Sequence, residues 1–169
     1  MSVIYLTTEI SAPVETVFDL SRSIDLHMIS TRQTNETVEA GRTSGLCTVG
    51  DTITWRAKHL GFYQRLTVEI VRCDFPIYFE DRMVYGAFKS FTHQHYFEMN
   101  QTGTVMKDIF EFKSPLGILG RFFNRIFLKG YMTRLLLKRN EVIKAYADSG
   151  DGQRLLENEY YVSSPLRIG

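Results

Sequence analysis

The chain has 169 residues, 44% of them hydrophobic, which suits one domain with enough apolar surface for a sizeable core. Lys and Arg total 20 against 19 Asp and Glu, a formal net charge of +1, so whole-molecule charge speaks against a nucleic-acid binder and singles out no acidic partner. Two cysteines in no CxxC spacing, no basic-then-apolar leader and no apolar run of roughly 18 residues argue against a zinc ribbon, a disulfide scaffold, secretion and integral membrane association, and for a reducing, cytoplasmic setting.

Val3 to Glu9 (VIYLTTE) is β-branched and aromatic, as a half-buried strand would be, and Ile10 closes it. Ser11-Ala12-Pro13-Val14-Glu15 then reads as a helix start. Ser11 caps, Pro13 sits in the first turn where no N–H partner is needed, and Glu15 lies near the positive end of the dipole. Val14, Val17, Phe18 and Ile24 supply the buried side, and Asp25 to Ile29 forms a second short helix.

From Arg32 to Lys113 the pattern turns to period two, punctuated by Pro76 and by glycines from Gly41 to Gly103, which predicts consecutive antiparallel strands. In Thr52 to Leu60, Ile53, Trp55, Ala57 and His59 share the inward face. Phe62, Gln64, Leu66, Val68 and Ile70 share a face of the next strand, after a hairpin through Leu60-Gly61. Ile77 to Tyr85, Phe88 to Met99 and Thr104 to Lys113 follow, and Phe88, out of step with Phe91, predicts a bulge at Lys89 or Ser90.

After Ser114-Pro115 the period changes, and Leu116 to Ala147 reads as one long helix, about 48 Å if straight at about 1.5 Å per residue. Leu119, Phe123, Ile126, Phe127, Leu135, Leu136, Val142, Ile143 and Tyr146 form its apolar stripe. From Pro115 to Ala147 the basic residues are Arg121, Arg125, Lys129, Arg134, Lys138, Arg139 and Lys144, against the single acid Glu141. That charge reads as a solvated outer face, or as a peripheral membrane or protein-interaction surface. Asp148 to Gly152 breaks the helix, so the domain is assigned to residues 1–147 and residues 148–169 to a mobile or partner-binding tail.

A sheet of about seven strands, two short helices after the first strand and a long helix at the end make an α+β architecture. A long helix laid on a curved sheet and held off by large side chains can enclose an apolar pocket.

The stretches Ile24-Asp25-Leu26-His27, Gly50 to Gly61 (GDTITWRAKHLG), Phe79 to Phe88 (FEDRMVYGAF), Phe91 to Phe97 (FTHQHYF), Gly103 to Asp108 (GTVMKD) and Ser114 to Gly120 (SPLGILG) resemble the START-related SRPBCC superfamily. That superfamily includes birch-pollen-allergen-like proteins, polyketide cyclases and lipid-transfer domains, and the resemblance is to a group of predicted ligand-binding proteins within it. It covers roughly Val3 to Ala147. It implies a helix-grip fold, a curved antiparallel sheet wrapped around the last helix with a cavity between them, and a lipid-like, aromatic or polyketide-like ligand. It carries over no catalytic residue, and no cofactor.

Strand parity puts His59, His93 and His95 on the inner face, Asp81 with Phe79 and Met83, and Asp108 with Met106, Phe110 and Phe112. The candidate ligand-binding set is therefore His27, Trp55, His59, Asp81, Met83, Phe91, His93, His95, Phe97, Met106, Asp108 and Phe110, with Phe123 and Phe127 from the long helix. Buried carboxylates need partners. A His-Asp network of His93, His95, Asp81 and Asp108 satisfies them and admits three roles: pinning the strands, anchoring a ligand's polar end, or acid-base chemistry of a cyclase-like or hydrolytic kind. HxH on a strand is a weak metal signal, and no metal is assigned. The chain lacks a P-loop and a GxSxG elbow, which leaves nucleotide and serine hydrolysis without support.

Overall fold

The structure, a computed structural model, describes residues 1–59, 61–114 and 127–163, with side chains to residue 159. Period-two alternation becomes seven strands: β1 (Ser2–Ile10), β2 (Thr37–Gly41), β3 (Thr52–His59), β4 (Phe62–Asp74), β5 (Tyr78–Tyr85), β6 (Ser90–Asn100) and β7 (Gly103–Lys113). They form one antiparallel sheet in the order β1-β7-β6-β5-β4-β3-β2. Successive hairpins build everything from β2 to β7, and β1 returns to pair with β7 along its whole length. Gly103 makes the last hairpin possible. Its φ is +147°, and a Cβ there would stand 2.2 Å from the Ile10 carbonyl oxygen, so no other residue fits without shifting β1.

Between β1 and β2 lie α1 (Val14–Ser21), α2 (Ile24–Ser30) and a turn of 3-10 helix at Arg32–Thr34. The N-cap of α1 is Pro13 and makes no side-chain cap bond. Ser11, expected to cap it, instead donates its backbone N–H to Asp148 Oδ1 at 2.8 Å. Ser23 caps α2, accepting from the Leu26 N–H at 3.1 Å. Phe88 falls in the bend between β5 and β6, so the expected bulge at Lys89 or Ser90 is a loop, and β6 begins at Ser90. Register shifts lie elsewhere, in β2 and twice along the β4/β5 pairing.

Helix α3 (Lys129–Ser149) covers the concave face with Leu136, Ile143 and Ala147 buried. The predicted helical residues 116–126 lie outside the described ones. Of the seven cations expected on its outer face, Arg121 and Arg125 are also outside them. Arg139 is turned inward and buried, Lys138 pairs with Glu141, and Lys144 pairs with Asp148 while donating to the Glu9 carbonyl. Lys129 and Arg134 are exposed. No helix among the described residues is long and apolar enough to cross a membrane.

The segment read as a tail contains α4 (Asp151–Ser163). Gly150, at φ +78°, ends α3 as the left-handed cap that glycine favours, and the chain re-enters a helix at once. Gly152 lies so close to α1 that a Cβ there would be 2.6 Å from Leu20 Cδ1, Leu156 is buried in the core, and Glu159 accepts a hydrogen bond from Ser23. This helix is docked rather than trailing.

Two apolar clusters share the concave face. One joins α1, α3 and α4 to Phe79, Phe97 and Met106, with Phe18 and Val17 fully buried. The other gathers Ile53, Trp55, Val68, Phe91, Phe110 and Leu136.

Candidate functional site

Strand pairing places the polar residues in two adjacent rows. Asp81 is directly opposite His93, and His93 opposite Phe110; one step along, Phe79 faces His95 and His95 faces Asp108. Because side chains alternate across a pleat, both rows point to the same concave side. The period-two pattern of β5, β6 and β7 therefore brings all four polar residues together. His95 Nδ1 is 2.7 Å and His93 Nε2 3.2 Å from the same atom, Asp108 Oδ1. His95 Nε2 is 3.3 Å and His93 Nδ1 3.8 Å from Asp81 Oδ2. The two imidazole centroids are 3.9 Å apart, with His95 stacked on Phe79 and His93 edge-on to Phe110.

Helix α3 completes the cluster with Arg139, expected on the outer basic face, and with Asn140. Asn140 donates to Asp108 Oδ2 at 2.6 Å and to Thr8 Oγ1 at 3.2 Å. Arg139 donates to the Ser21 carbonyl at 2.8 Å, and its Nη1 lies 3.6 Å from Asp108 Oδ1. Burial raises the pKa of Asp108, but its contacts with His93 and His95 outweigh that and hold the carboxyl well below the usual carboxylate range. Asp81 is also held low against its burial, by the hydrogen bond with His95 and the charge of His93. Burial, then the proximity of His95, pushes His93 down to about 4.

Beside this cluster, between the sheet and α3, is a cavity of about 170 Å³. Asp81, His93, His95 and Arg139 cluster on one part of its wall, Arg22, His27, Glu36 and His59 also line it, and Ile53, Trp55, Val68, Ile70, Phe91, Phe110 and Leu136 make most of the rest apolar. Of the predicted ligand-binding residues, His27, Trp55, His59, Asp81, Phe91, His93, His95 and Phe110 line it. His27 leans on Trp55 with ring centroids 4.3 Å apart and pairs with Glu36 at 3.2 Å.

Among the described residues, five further candidates do not line the cavity. Asp108 sits behind the imidazoles, 2% exposed. Phe97 and Met106 belong to the cluster under α1, and Met83 packs at the edge of the other cluster. Phe127 is 43% exposed and lies parallel to Tyr131 at 6.4 Å. Phe123 lies outside the described residues.

A second compartment of about 200 Å³ adjoins the first and shares Glu36, Trp55, His59, Leu66, Phe88 and Met132 with it. Where they meet, His59 Nδ1 and the Tyr131 hydroxyl are 2.8 Å apart, a hydrogen bond tying the end of β3 to the first turn of α3. Glu36, Tyr131, Arg139 and Asn140 are the participants that parity of strands could not reveal, since none of them lies on a strand.

The arrangement disfavours proton transfer by His93 at neutral pH, because a group pushed down to about 4 is a weak base there. Cys47, on the same wall, is no ready nucleophile, as burial pushes its thiol up to about 12.

No family model matches the chain, and no curated protein matches its sequence. Solved structures do match. A protein from Thermus thermophilus shares 17% identity over 86% of this chain and 99% of its own, with a TM-score of 0.67. Major latex-like protein 151 from Panax ginseng shares 14% identity over 86% of this chain and 97% of its own, with a TM-score of 0.64. Ara h 8.0201 shares 12% identity over 88% and 98%, with a TM-score of 0.62. The chain has the helix-grip fold, as the resemblance in its motifs implies.

Proposed function

We propose that the protein binds a small, mainly apolar molecule in the cavity between sheet and α3, with the polar end of that molecule held at Asp81, His93 and His95. One observation carries the reading: a mainly apolar cavity between sheet and helix has Asp81, His93, His95 and Arg139 clustered on its wall. Pockets that combine an apolar body with a few placed polar groups are the usual form of small-molecule sites. The helix-grip relatives contribute the fold to this argument; the ligand class rests on the lining.

Volume narrows the choice. An apolar cavity of about 150 Å³ admits benzene, so the main chamber, at about 170 Å³, takes a single ring with a polar substituent. A long acyl chain needs the outer compartment as well, and with it the opening of the His59–Tyr131 bridge.

Trp55 reports the test. Phenol titrated into the protein is expected to change the emission of this single tryptophan saturably, and Leu136→Phe, which fills the chamber from the helix side, is expected to remove the change with the fold retained by circular dichroism. Saturable binding of a long-chain fatty acid with no response to phenol would overturn the ring-sized assignment, and no response to either would overturn ligand binding in this chamber.

A further inference from the structure

Counting protons at the polar cluster exposes a deficit. Four ring nitrogens face two carboxylate oxygens: His93 Nε2 and His95 Nδ1 approach Asp108 Oδ1, while His93 Nδ1 and His95 Nε2 approach Asp81 Oδ2. A neutral imidazole has one N–H and one lone pair, so two neutral rings supply two protons for four such approaches. The other two place a lone pair against a carboxylate. Doubly protonating both rings would fill the gap, but only by bringing two cations into contact at a centroid distance of 3.9 Å. On the Asp108 side, His93 Nε2 and His95 Nδ1 lie 3.2 and 2.7 Å from the one oxygen, Asp108 Oδ1, and all three atoms are buried with their hydrogen bonds not yet aligned.

We infer that Asp81, His93 and His95 form a binding site for one divalent transition-metal ion of zinc type, with Asp108 orienting both imidazoles from behind. Two positive charges replace the two missing protons. The ion takes Asp81 Oδ2, His93 Nδ1 and His95 Nε2, and each ring keeps its proton on the nitrogen that faces Asp108. Metal-bound imidazoles commonly donate their other N–H to a carboxylate in this way, and here one carboxylate oxygen serves both. Asn140 fixes the second oxygen of that carboxylate, and Arg139 offsets its charge.

Distances agree with the assignment. A tetrahedral site with bonds of about 2.0 to 2.1 Å has ligand atoms about 3.3 Å apart. Two of the three edges measure 3.3 and 3.8 Å, and one ligand atom from each of the three residues lies within 4.8 Å of the other two. All three ligands line the cavity, so the fourth position faces into it. Nitrogen and carboxylate donors favour zinc, iron, nickel or copper over magnesium or calcium. The ion takes the same three side chains that the proposed function assigns to the ligand's polar end, so it deepens that reading: with metal bound, the polar end meets the open fourth position instead of the bare side chains.

The test uses the full-length protein, stripped with chelator and titrated with zinc chloride alone in a calorimeter. One equivalent is expected to bind with a micromolar or tighter dissociation constant. Asp81→Asn is expected to weaken it by at least about 100-fold, and Asp108→Asn by about 10-fold to 100-fold with stoichiometry retained, the size of effect seen when a carboxylate behind a metal-bound histidine is lost. The chain has only four histidines, so nitrogen NMR of the unmutated protein locates the ion without any variant. Zinc should shift His93 and His95 and leave His27 and His59 in place. Shifts confined to His27 and His59, or affinity unchanged in Asp81→Asn, would overturn the site, as would the absence of stoichiometric binding. Phenol binding by Trp55 emission is read on the same stripped sample, so failure of the metal site and failure of the ligand chamber are separate results.

Discussion

Replacing Glu159 by Gln is expected to change how stability depends on pH. Glu159 is 6% exposed on the inner side of α4, accepts a hydrogen bond from Ser23 and shares a groove with Asp25 and Arg32. Burial raises its pKa to about 7, the Ser23 hydrogen bond lowers it in part, and the negative charges of Asp25 and Asp19 add to the rise. Its ordinary value is 4.5. The folded form therefore holds a proton that the unfolded form has released between pH 4.5 and about 7. Stability falls as pH rises through that window and is level above it. At about 1.4 kcal/mol per unit the full displacement amounts to about 3 kcal/mol, and solvent screening in the groove reduces this to about 1 to 3 kcal/mol. The amide that replaces the carboxyl in Glu159→Gln keeps an acceptor for Ser23 and carries no charge. Urea unfolding of both proteins should give equal stability near pH 4.5 and a Glu159→Gln variant more stable by that amount at pH 8. Hydrogen exchange should assign the difference to α4, the element that opens first if Glu159 ionises in place. Curves that stay parallel from pH 4.5 to pH 8 would refute the reasoning.

Three further outcomes follow from the fold. Leu156→Ala removes a side chain 3% exposed beneath α4, and should cost about 2 to 4 kcal/mol in urea unfolding if the helix is docked, against almost nothing if it is loose. Gly103→Ala forces a Cβ to within 2.2 Å of a backbone oxygen and should cost about 2 to 4 kcal/mol, with loss of amide protection at the β1/β7 edge. Tyr131→Phe removes the partner of His59 and should speed both entry and exit of phenol in stopped-flow Trp55 emission, with the equilibrium constant moved far less than either rate.

Much of the sheet was readable because a half-buried antiparallel strand must alternate. His93 and His95 two apart, flanked by Phe91 and Phe97, could only face the interior together, and Asp81 and Asp108 follow from the same parity on the neighbouring strands. Parity gives the side of the sheet but not the place along it. Phe97 and Met106 share the inner face with His95 and Asp108, yet α1 covers that end of the sheet with Phe18, and they became core instead of cavity wall. Two helical features were missed for a different reason. Leu136, Arg139, Asn140, Ile143 and Ala147 have the spacing of one helix face, so Arg139 and Asn140 occupy stripe positions; reading charge as solvated obscured this. Gly152, Leu156 and Glu159 are likewise spaced as one face, but Gly150 and Gly152 together look like the end of order when only the first one ends a helix.

The position of the polar cluster explains why a chamber persists at all. His95 stacks on Phe79 of one apolar cluster, and His93 lies edge-on to Phe110 of the other, so the carboxylates and imidazoles occupy the seam between two cores. Collapsing about 170 Å³ would gain about 4 kcal/mol at ~24 cal/mol per Å³. Closing the seam would also strip the remaining water from Asp81 and Arg139, and each ion costs several kcal/mol unless a partner replaces that water. The two terms are of the same size, and shape complementarity between sheet and helix would have to be rebuilt as well. A chain under no demand for an opening could remove the conflict with five apolar residues. This one retains two acids, two imidazoles and an arginine around it, and the opening is the state in which those charges can be met from inside the chamber.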